Sequence, residues 1–474
     1  MRALVFGWLA VGCSGGGEGV GPDGADPGSD PVVDPPSPDP TGGDDPPTWV
    51  ADVAPLLADR CGSCHRDGGI APFSVATYDQ AYPWAEAMLA SVVDGSMPPF
   101  YAVSDEVCAP SLPWKDDLSL SPDEIALLSA WVAADAPEGD PADAVPAELR
   151  PVESLEDYTV ELALQEPFTV PATGGDLYQC FRIPMPNTAT MYMTGLEVVP
   201  GNDKVVHHVL VWNDRNDSSA GQAGADGSYG CSGFPDIFPT EMVGSWTPGV
   251  QPVISPDNTG TPIEVGASLV VNIHYHPTGT TSEVDQTKLR IRWTEVEPAM
   301  YTTWYMVDVP MGAIVQPGPN DQGGAEFRIP AGVPDHLETV QMWFTSLLFS
   351  ADMTVFAITP HMHYLGTDML VTIDHTDEPD ECLIHTPGWK FDWQRDYVYD
   401  GGAGELPVIH PGDKVRVQCL YDNSTSNPYM AAHLAATGAT EPYDTYWGEE
   451  TKDEMCMAIV GLIVPKTGWS PLSW

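Results

Sequence analysis

Cationic side chains are scarce in this chain. Its 474 residues carry 18 Lys and Arg against 68 Asp and Glu, a formal net charge of −50 with histidine neutral. Such a surface excludes a general phosphate-binding role, so nucleic acid is not an expected partner. The charge fits a solvated, salt-adapted surface as well as attraction of a cationic redox protein or an amine. Also missing is any apolar run of the roughly 20 residues that a membrane span needs, so membrane contact is expected only through a lipid anchor. No Lys or Arg lies between Arg2 and Arg60, and residues 14 to 47 are Gly, Pro, Asp and Ser almost throughout. That stretch cannot bury enough apolar surface to order itself and reads as a disordered, extended tether.

What precedes the tether looks like an export signal. Met1 to Gly12 has one basic residue, a short apolar stretch and small residues before Cys13, the order of a bacterial lipoprotein signal peptide. The expectation is cleavage after residue 12, lipidation of Cys13 and attachment in the cell envelope, periplasmic or at the outer membrane or cell surface. The length suits about three domains beyond the 13–47 linker. Nine cysteines are present. Beyond Cys13, Cys61 and Cys64, the remaining six are even in number, which in an exported protein points to disulfides; six thiols allow 15 pairings.

Cys61-Gly62-Ser63-Cys64-His65 fits covalent c-type haem attachment, two thiols for the vinyl groups and a histidine for the iron. A zinc knuckle would need a second Cys/His pair nearby, and a thioredoxin-like redox pair would need βαβ surroundings. Val50, Val53, Leu56 and Leu57 stand at helical spacing just before the motif. Ser121-Pro122-Asp123-Glu124 opens a second helix with a capping box and a proline at its first position. Residues 48–142 therefore resemble a small class I cytochrome c domain. Met97, in the turn Asp94 to Pro99, is the expected sixth ligand of the iron, with Met88 as the alternative. His/Met ligation suits electron transfer.

From about 150 to 470, short runs rich in Val, Thr, Tyr, Trp and Ile recur between Gly, Pro, Asn and Asp turns, and long helical patterns are absent. The runs are Thr190–Val199, Val205–Asn213, Ser268–Tyr275, Lys288–Thr294, Thr339–Leu348, Met353–Thr359 and Lys414–Leu420. This predicts a mainly β fold of antiparallel sandwiches. Within it lie two histidine clusters. His361 and His363 are two apart in an apolar strand, so both imidazoles project from one face and can chelate one ion. Met455 would add a thioether, a soft ligand that favours copper over zinc, magnesium or calcium. His207 and His208 are adjacent, so only a twist, a bulge or a strand end lets both reach one metal with His274. His276 could compete with His274 or support it. His336, His375, His385, His410 and His433 have no partner at chelating spacing and read as surface or loop residues.

Four segments in order resemble the copper type II, ascorbate-dependent monooxygenases, the family of peptidylglycine alpha-hydroxylating and dopamine beta-monooxygenases. They are Val205-Val206-His207-His208-Val209-Leu210, Val271-Asn272-Ile273-His274-Tyr275, Pro360-His361-Met362-His363-Tyr364-Leu365-Gly366 and Asp453-Glu454-Met455-Cys456. The resemblance covers roughly residues 155 to 470. It implies two jelly-roll-like sandwich domains, at 150–300 and 301–474, and two copper ions. An electron-transfer copper would sit on His207, His208 and His274. A catalytic, oxygen-binding copper would sit on His361, His363 and Met455. It also implies a Cys419–Cys456 disulfide. Where peptide-amidating members carry an arginine, an asparagine and a tyrosine that hold the substrate carboxylate, this chain has Thr359, Met457 and Ile459, so a C-terminal glycine peptide is not the expected substrate.

The expectation is an exported copper monooxygenase with a fused haem c, hydroxylating a C–H bond of a small molecule with O2. Electrons would come from an ascorbate-like reductant or a redox protein and pass through the haem. The rivals are a haem and copper electron-transfer or copper-holding protein without catalysis, and a structural envelope protein with vestigial sites.

Overall fold

A computed structural model describes residues 45–237, 241–344 and 351–466. The expected signal peptide, Cys13 and nearly all of the linker lie outside the described residues. Everything described belongs to one contact unit that begins at Asp45.

The chain opens with helices. Trp49–Val53 forms a π-helical turn that runs directly into the α-helix Ala54–Arg60. A second helix spans Ala85–Val93 and a third Pro122–Ala133. The third starts where its sequence dictates: Ser121 Oγ accepts the Glu124 amide, Glu124 Oε2 accepts the Ser121 amide, and Pro122 needs no partner for an N–H it lacks. Arg60 crosses to this helix, with Nε and Nη2 both donating to Glu124 Oε1 at 3.2 and 3.1 Å. Trp49, Val53, Leu57, Leu128 and Trp131 bury together as a small apolar core of their own.

The remainder is mainly β. The strands Ser268–Tyr275, Lys288–Thr294, Met353–His361 and Lys414–Tyr421 form where β-branched and aromatic residues concentrate. A 15-stranded sheet runs through the whole β region. In its first half Leu177–Pro184 pairs with Ser268–Tyr275, which pairs with Val206–Asp214, which pairs with Glu241–Trp246. In its second half Met457–Pro465 lies between Met353–His361 and Met300–Val307. Met300–Val307 joins the halves, through Trp304 opposite Met242 and a short parallel pairing with Thr259 and Gly260. A separate five-stranded antiparallel sheet built on His336–Trp343, Lys414–Tyr421 and Gly366–Asp374 packs against the second half. One helix interrupts the β region, Pro428–Thr437, with the Asn427 side chain accepting the amides of Tyr429 and Met430.

Two cores fill the β region. One belongs to the first half; the other gathers the two sheets of the second half with Cys180, Trp212, Met242 and Val270 of the first, and takes in Phe100 and Trp114 from the segment between the helices Ala85–Val93 and Pro122–Ala133. Three disulfides fasten the described chain: Cys108–Cys382, Cys180–Cys231 and Cys419–Cys456. The first joins the segment between the helices Ala85–Val93 and Pro122–Ala133 to a strand 274 residues away. In the chain-entropy account, closing so long a loop withdraws on the order of 5 kcal/mol from the unfolded state.

Candidate metal centres and a thiol-lined cavity

The double-histidine strand is irregular where it matters. His208 stands opposite His274, but the next pair is Val206 with Tyr275, so His207 is an extra residue on its strand, a β-bulge. The bulge turns both adjacent imidazoles to one side. His207 Nδ1 lies 3.2 Å from His208 Nδ1, and His274 Nδ1 lies 3.4 Å from that same atom. Two nitrogens each about 2.0–2.1 Å from a tetrahedral ion stand roughly 3.3–3.4 Å apart, so this spacing suits a metal between them. Among the described residues these three form the cluster of His, Cys, Asp or Glu side chains able to hold a metal.

A carboxylate backs the cluster. Asp176 Oδ2 lies 3.2 Å from His274 Nε2, and Oδ1 lies 2.8 Å from His276 Nδ1. The contact with His274 is the main reason its carboxyl is held down at about 2. A carboxylate behind a ligating histidine fixes the tautomer and makes the facing nitrogen a better donor. His276 thus reaches Asp176 and is itself largely exposed. Rings complete the walls: Tyr178 stacks on His274 at 4.4 Å and Phe391 on His207 at 5.7 Å.

The second cluster is assembled from two neighbouring strands. His361 closes Met353–His361 opposite Met457, two residues beyond Met455. His361 Nδ1 donates to Gln394 Oε1, and His363 Nδ1 donates to the Asp453 carbonyl at 3.0 Å. Each donation leaves Nε2 as a free lone pair. His361, His363 and Met455 all line one cavity of about 80 Å³. Glu454, fully buried, accepts the amides of His363 at 2.8 Å, Leu365 at 2.6 Å and Met455 at 3.3 Å. One carboxyl therefore holds both ligand-bearing segments, and burial pushes it up to about 8. Cys419–Cys456 and the Tyr421 hydroxyl, donating to the Met455 carbonyl at 2.7 Å, brace the other side. Gly366 follows because a side chain there would strike Met362 at 2.6 Å.

Burial keeps these imidazoles neutral. It lowers His207 and His361 to about 4 and His363 to about 3, and lowers His208 well below its ordinary value. A neutral imidazole is the form that ligates metal. His208 lines the same cavity as His361, His363 and Met455. Phe391 stands between the clusters, its ring 5.7 Å from His207 and 6.2 Å from His363.

The rest of that cavity is mostly apolar, with Leu210, Phe234, Trp246, Met306, Met457 and Ile459. The Thr359 hydroxyl donates to the half-buried Asp396 carboxylate, which also accepts from Ser245 at 3.0 Å. A guanidinium is present after all: Arg395 lines the cavity, with its head 4.8 Å from the Phe100 ring and 5.6 Å from that of Tyr397. No motif flagged Arg395, Gln394 or Asp176, and Glu454 stood inside the Asp453-Glu454-Met455-Cys456 segment without a role of its own. Asp176 carries no local signal at all, whereas Glu454 was visible as the acidic neighbour of Met455.

In the helical region Cys61 and Cys64 are the two described cysteines left without a disulfide. They share a cavity of about 400 Å³ with His65, Met88 and Met97. Its other walls are largely apolar, including Leu57, Phe73, Val92 and Leu128. His65 Nδ1 donates to the Phe73 carbonyl at 3.2 Å, which leaves Nε2 free as a donor to iron. Unpaired thiols, a fixed imidazole and two thioethers in one apolar cavity form a donor set that fits a covalently held haem.

Other histidines depart from their expected surface placement. His336 is buried, with Nε2 2.8 Å from Glu338 Oε1. His385 is buried between Asp105 and Asp368, and the His375 side chain, 6% exposed, meets Asp413 at 2.7 Å. Carboxylates replace water around each, which is how a polar ring is accommodated inside.

No protein-family model matches this chain, and no curated protein matches it. Among solved structures it is similar to the major capsid protein P2 from Bacteriophage PM2. That likeness covers 66% of this chain and 99% of the other at 10% identity, with a TM-score of 0.25, too low to carry any argument.

Proposed function

We propose that the chain is a copper-dependent monooxygenase with a fused c-type haem, acting on a C–H bond of a small substrate with O2. The observation that carries this reading is the asymmetry of the two clusters around one cavity. Three imidazoles meet, one of them, His208, lining the cavity, and two further imidazoles and a thioether line that same cavity. Copper accepts both sets, and a thioether is a poor ligand for zinc, magnesium or calcium. When bound, the two coppers would supply one-electron chemistry and oxygen activation, and the haem would supply electrons.

The protein's own contribution is positional. Gln394 and the Asp453 carbonyl aim the Nε2 atoms of His361 and His363, while Asp176 aims His274. The apolar walls exclude water from a reactive site. At about 80 Å³ the cavity fits a small group, and its walls suit an apolar part of a substrate. Jelly-roll topology for the two β regions, a cytochrome c identity for the helices and lipid anchoring through Cys13 belong to the same reading. Among the described residues no helix is long and apolar enough to cross a membrane.

The narrow cavity and the occupied Thr359 hydroxyl favour one rival, an electron-transfer or copper-holding protein without a substrate. Metal and haem analysis comes first: the reading expects two coppers and one haem per chain. Oxygen uptake that rises with added candidate substrates and vanishes in Met455→Ala supports the monooxygenase. Full metal loading with no substrate-dependent uptake across a broad metabolite panel supports the rival.

A further inference from the structure

One short segment, residues 391 to 394, touches every candidate redox site. The Trp393 side chain helps close the thiol-lined cavity. Among the described residues lining that cavity, it is the one that comes from beyond residue 150. The next residue, Gln394, lines the histidine cavity and accepts the His361 Nδ1 proton through Oε1. Its own Nε2 donates to the Phe391 carbonyl at 3.1 Å, and its backbone carbonyl accepts from the Thr247 hydroxyl. Phe391 in turn stacks on His207, 20° from parallel. The segment is thus anchored at both ends and contributes lining residues to both cavities.

We propose that electrons leave the haem pocket through Trp393 and reach the His361/His363/Met455 copper through Gln394, by way of the Gln394–His361 hydrogen bond. This rests on the reading that haem and copper are bound. Each step is one electron: the haem iron goes from ferrous to ferric, the copper from Cu(II) to Cu(I), and no bond or proton changes place. Electron tunnelling weakens steeply with distance and more steeply across space than through bonds. A route of covalent bonds and one hydrogen bond therefore outruns one that jumps between surfaces. The competing contact lies at Gly249, where a Cβ would come 3.6 Å from Cys64 Sγ. From there the chain leads through Trp246, opposite Val209, to His208. No side chain of that loop lines the thiol cavity. The route therefore predicts that haem electrons reach the thioether site without first visiting the three-imidazole site.

The test uses the full-length protein loaded with haem and copper, without oxygen. The haem is reduced by a sub-stoichiometric pulse, its reoxidation is followed by visible absorbance, and loss of the Cu(II) signal is followed by electron paramagnetic resonance. Because the protein's part in one-electron chemistry is placement, Trp393→Leu and Gln394→Leu should each slow reoxidation by about tenfold or more. The haem spectrum should stay that of the wild type in all variants; copper content should stay so in the Trp393 variants, and the Gln394 variants, which lose or alter the acceptor behind His361, are compared after copper loading has been restored with excess metal. Trp393→Phe and Gln394→Glu, which keep the ring and the acceptor, should restore most of the rate. Unchanged rates in both leucine variants overturn the route and leave the Gly249 contact in its place. A wild-type protein that binds no haem or copper, or that binds both and never passes the electron, overturns the functional reading itself, and the route falls with it.

Discussion

In the first histidine cluster the ligand atoms converge through a fault in strand pairing; in the second they converge because two strands end beside each other and a buried carboxyl holds both. The bulge at His207 makes three nitrogens meet with little support beyond Asp176 and stacked rings. The second cluster is held by three amides on Glu454, a disulfide and a tyrosine hydroxyl. Its side chains are mixed, and on the proposed reading a thioether on one side would let the two sites differ in affinity for Cu(I) and in potential. On the proposed reading, the site that would change its bound partners during turnover stands on the stiffer frame, and the one that would pass electrons stands on the irregular one.

The comparison breaks at once if His361→Ala or Met455→Ala leaves two coppers per chain. The expected outcome is one copper remaining on the three imidazoles, with substrate-dependent oxygen uptake reduced to background, checked by metal analysis and an oxygen electrode. Next in size is the frame itself. Glu454→Ala strands three buried amides, each worth about 1–3 kcal/mol when unpaired. Thermal or denaturant unfolding should show a loss of at least about 3 kcal/mol, whereas Glu454→Gln, which keeps an acceptor, should lose far less.

Asp176→Ala sharpens the contrast from the other side. Removing the carboxylate behind a ligating histidine typically costs about 10–100-fold in metal affinity. Competition with a chelator should register that loss at the His207/His208/His274 site and leave the other unchanged. Equal weakening at both sites would show that the clusters are not independent. Smallest is Gly366→Ala, whose Cβ must displace Met362. Overpacking of this kind costs about 1–3 kcal/mol, read as a lower Tm with copper still bound.

The sequence revealed the parts of the molecule governed by short periodicities. The helix after Ser121 starts where its capping box stands, whereas the expected strand pair His361/His363 is split: the strand ends at His361, and His363 lies just beyond it while still lining the same cavity. The strands Ser268–Tyr275 and Lys288–Thr294 match the expected runs to the residue. What stayed hidden depends on long-range register. Nothing local marks Asp176 as the partner of His274, or Gln394 as the partner of His361, 33 residues away. The pairing of Cys108 with Cys382 was not readable, since six cysteines allow 15 complete pairings and only three of them contain it. The helix Pro428–Thr437 was missed, although Asn427-Pro428 is a cap followed by a first-turn proline. His336 and Glu338 also carried a readable signal, being two apart on one strand and so on one face.

The Cys108–Cys382 bond orders events during biogenesis. Its second sulfur belongs to a part of the chain made long after the first, so the amino-terminal helices must wait, already emerged and unfastened, until the far strand arrives. During that interval Cys61 and Cys64 share the compartment with an unpaired Cys108. If the proposed haem is attached at Cys61 and Cys64, those thiols must stay out of oxidative pairing with Cys108 until attachment is finished, and an excess of oxidant should then accumulate mispaired, colourless protein.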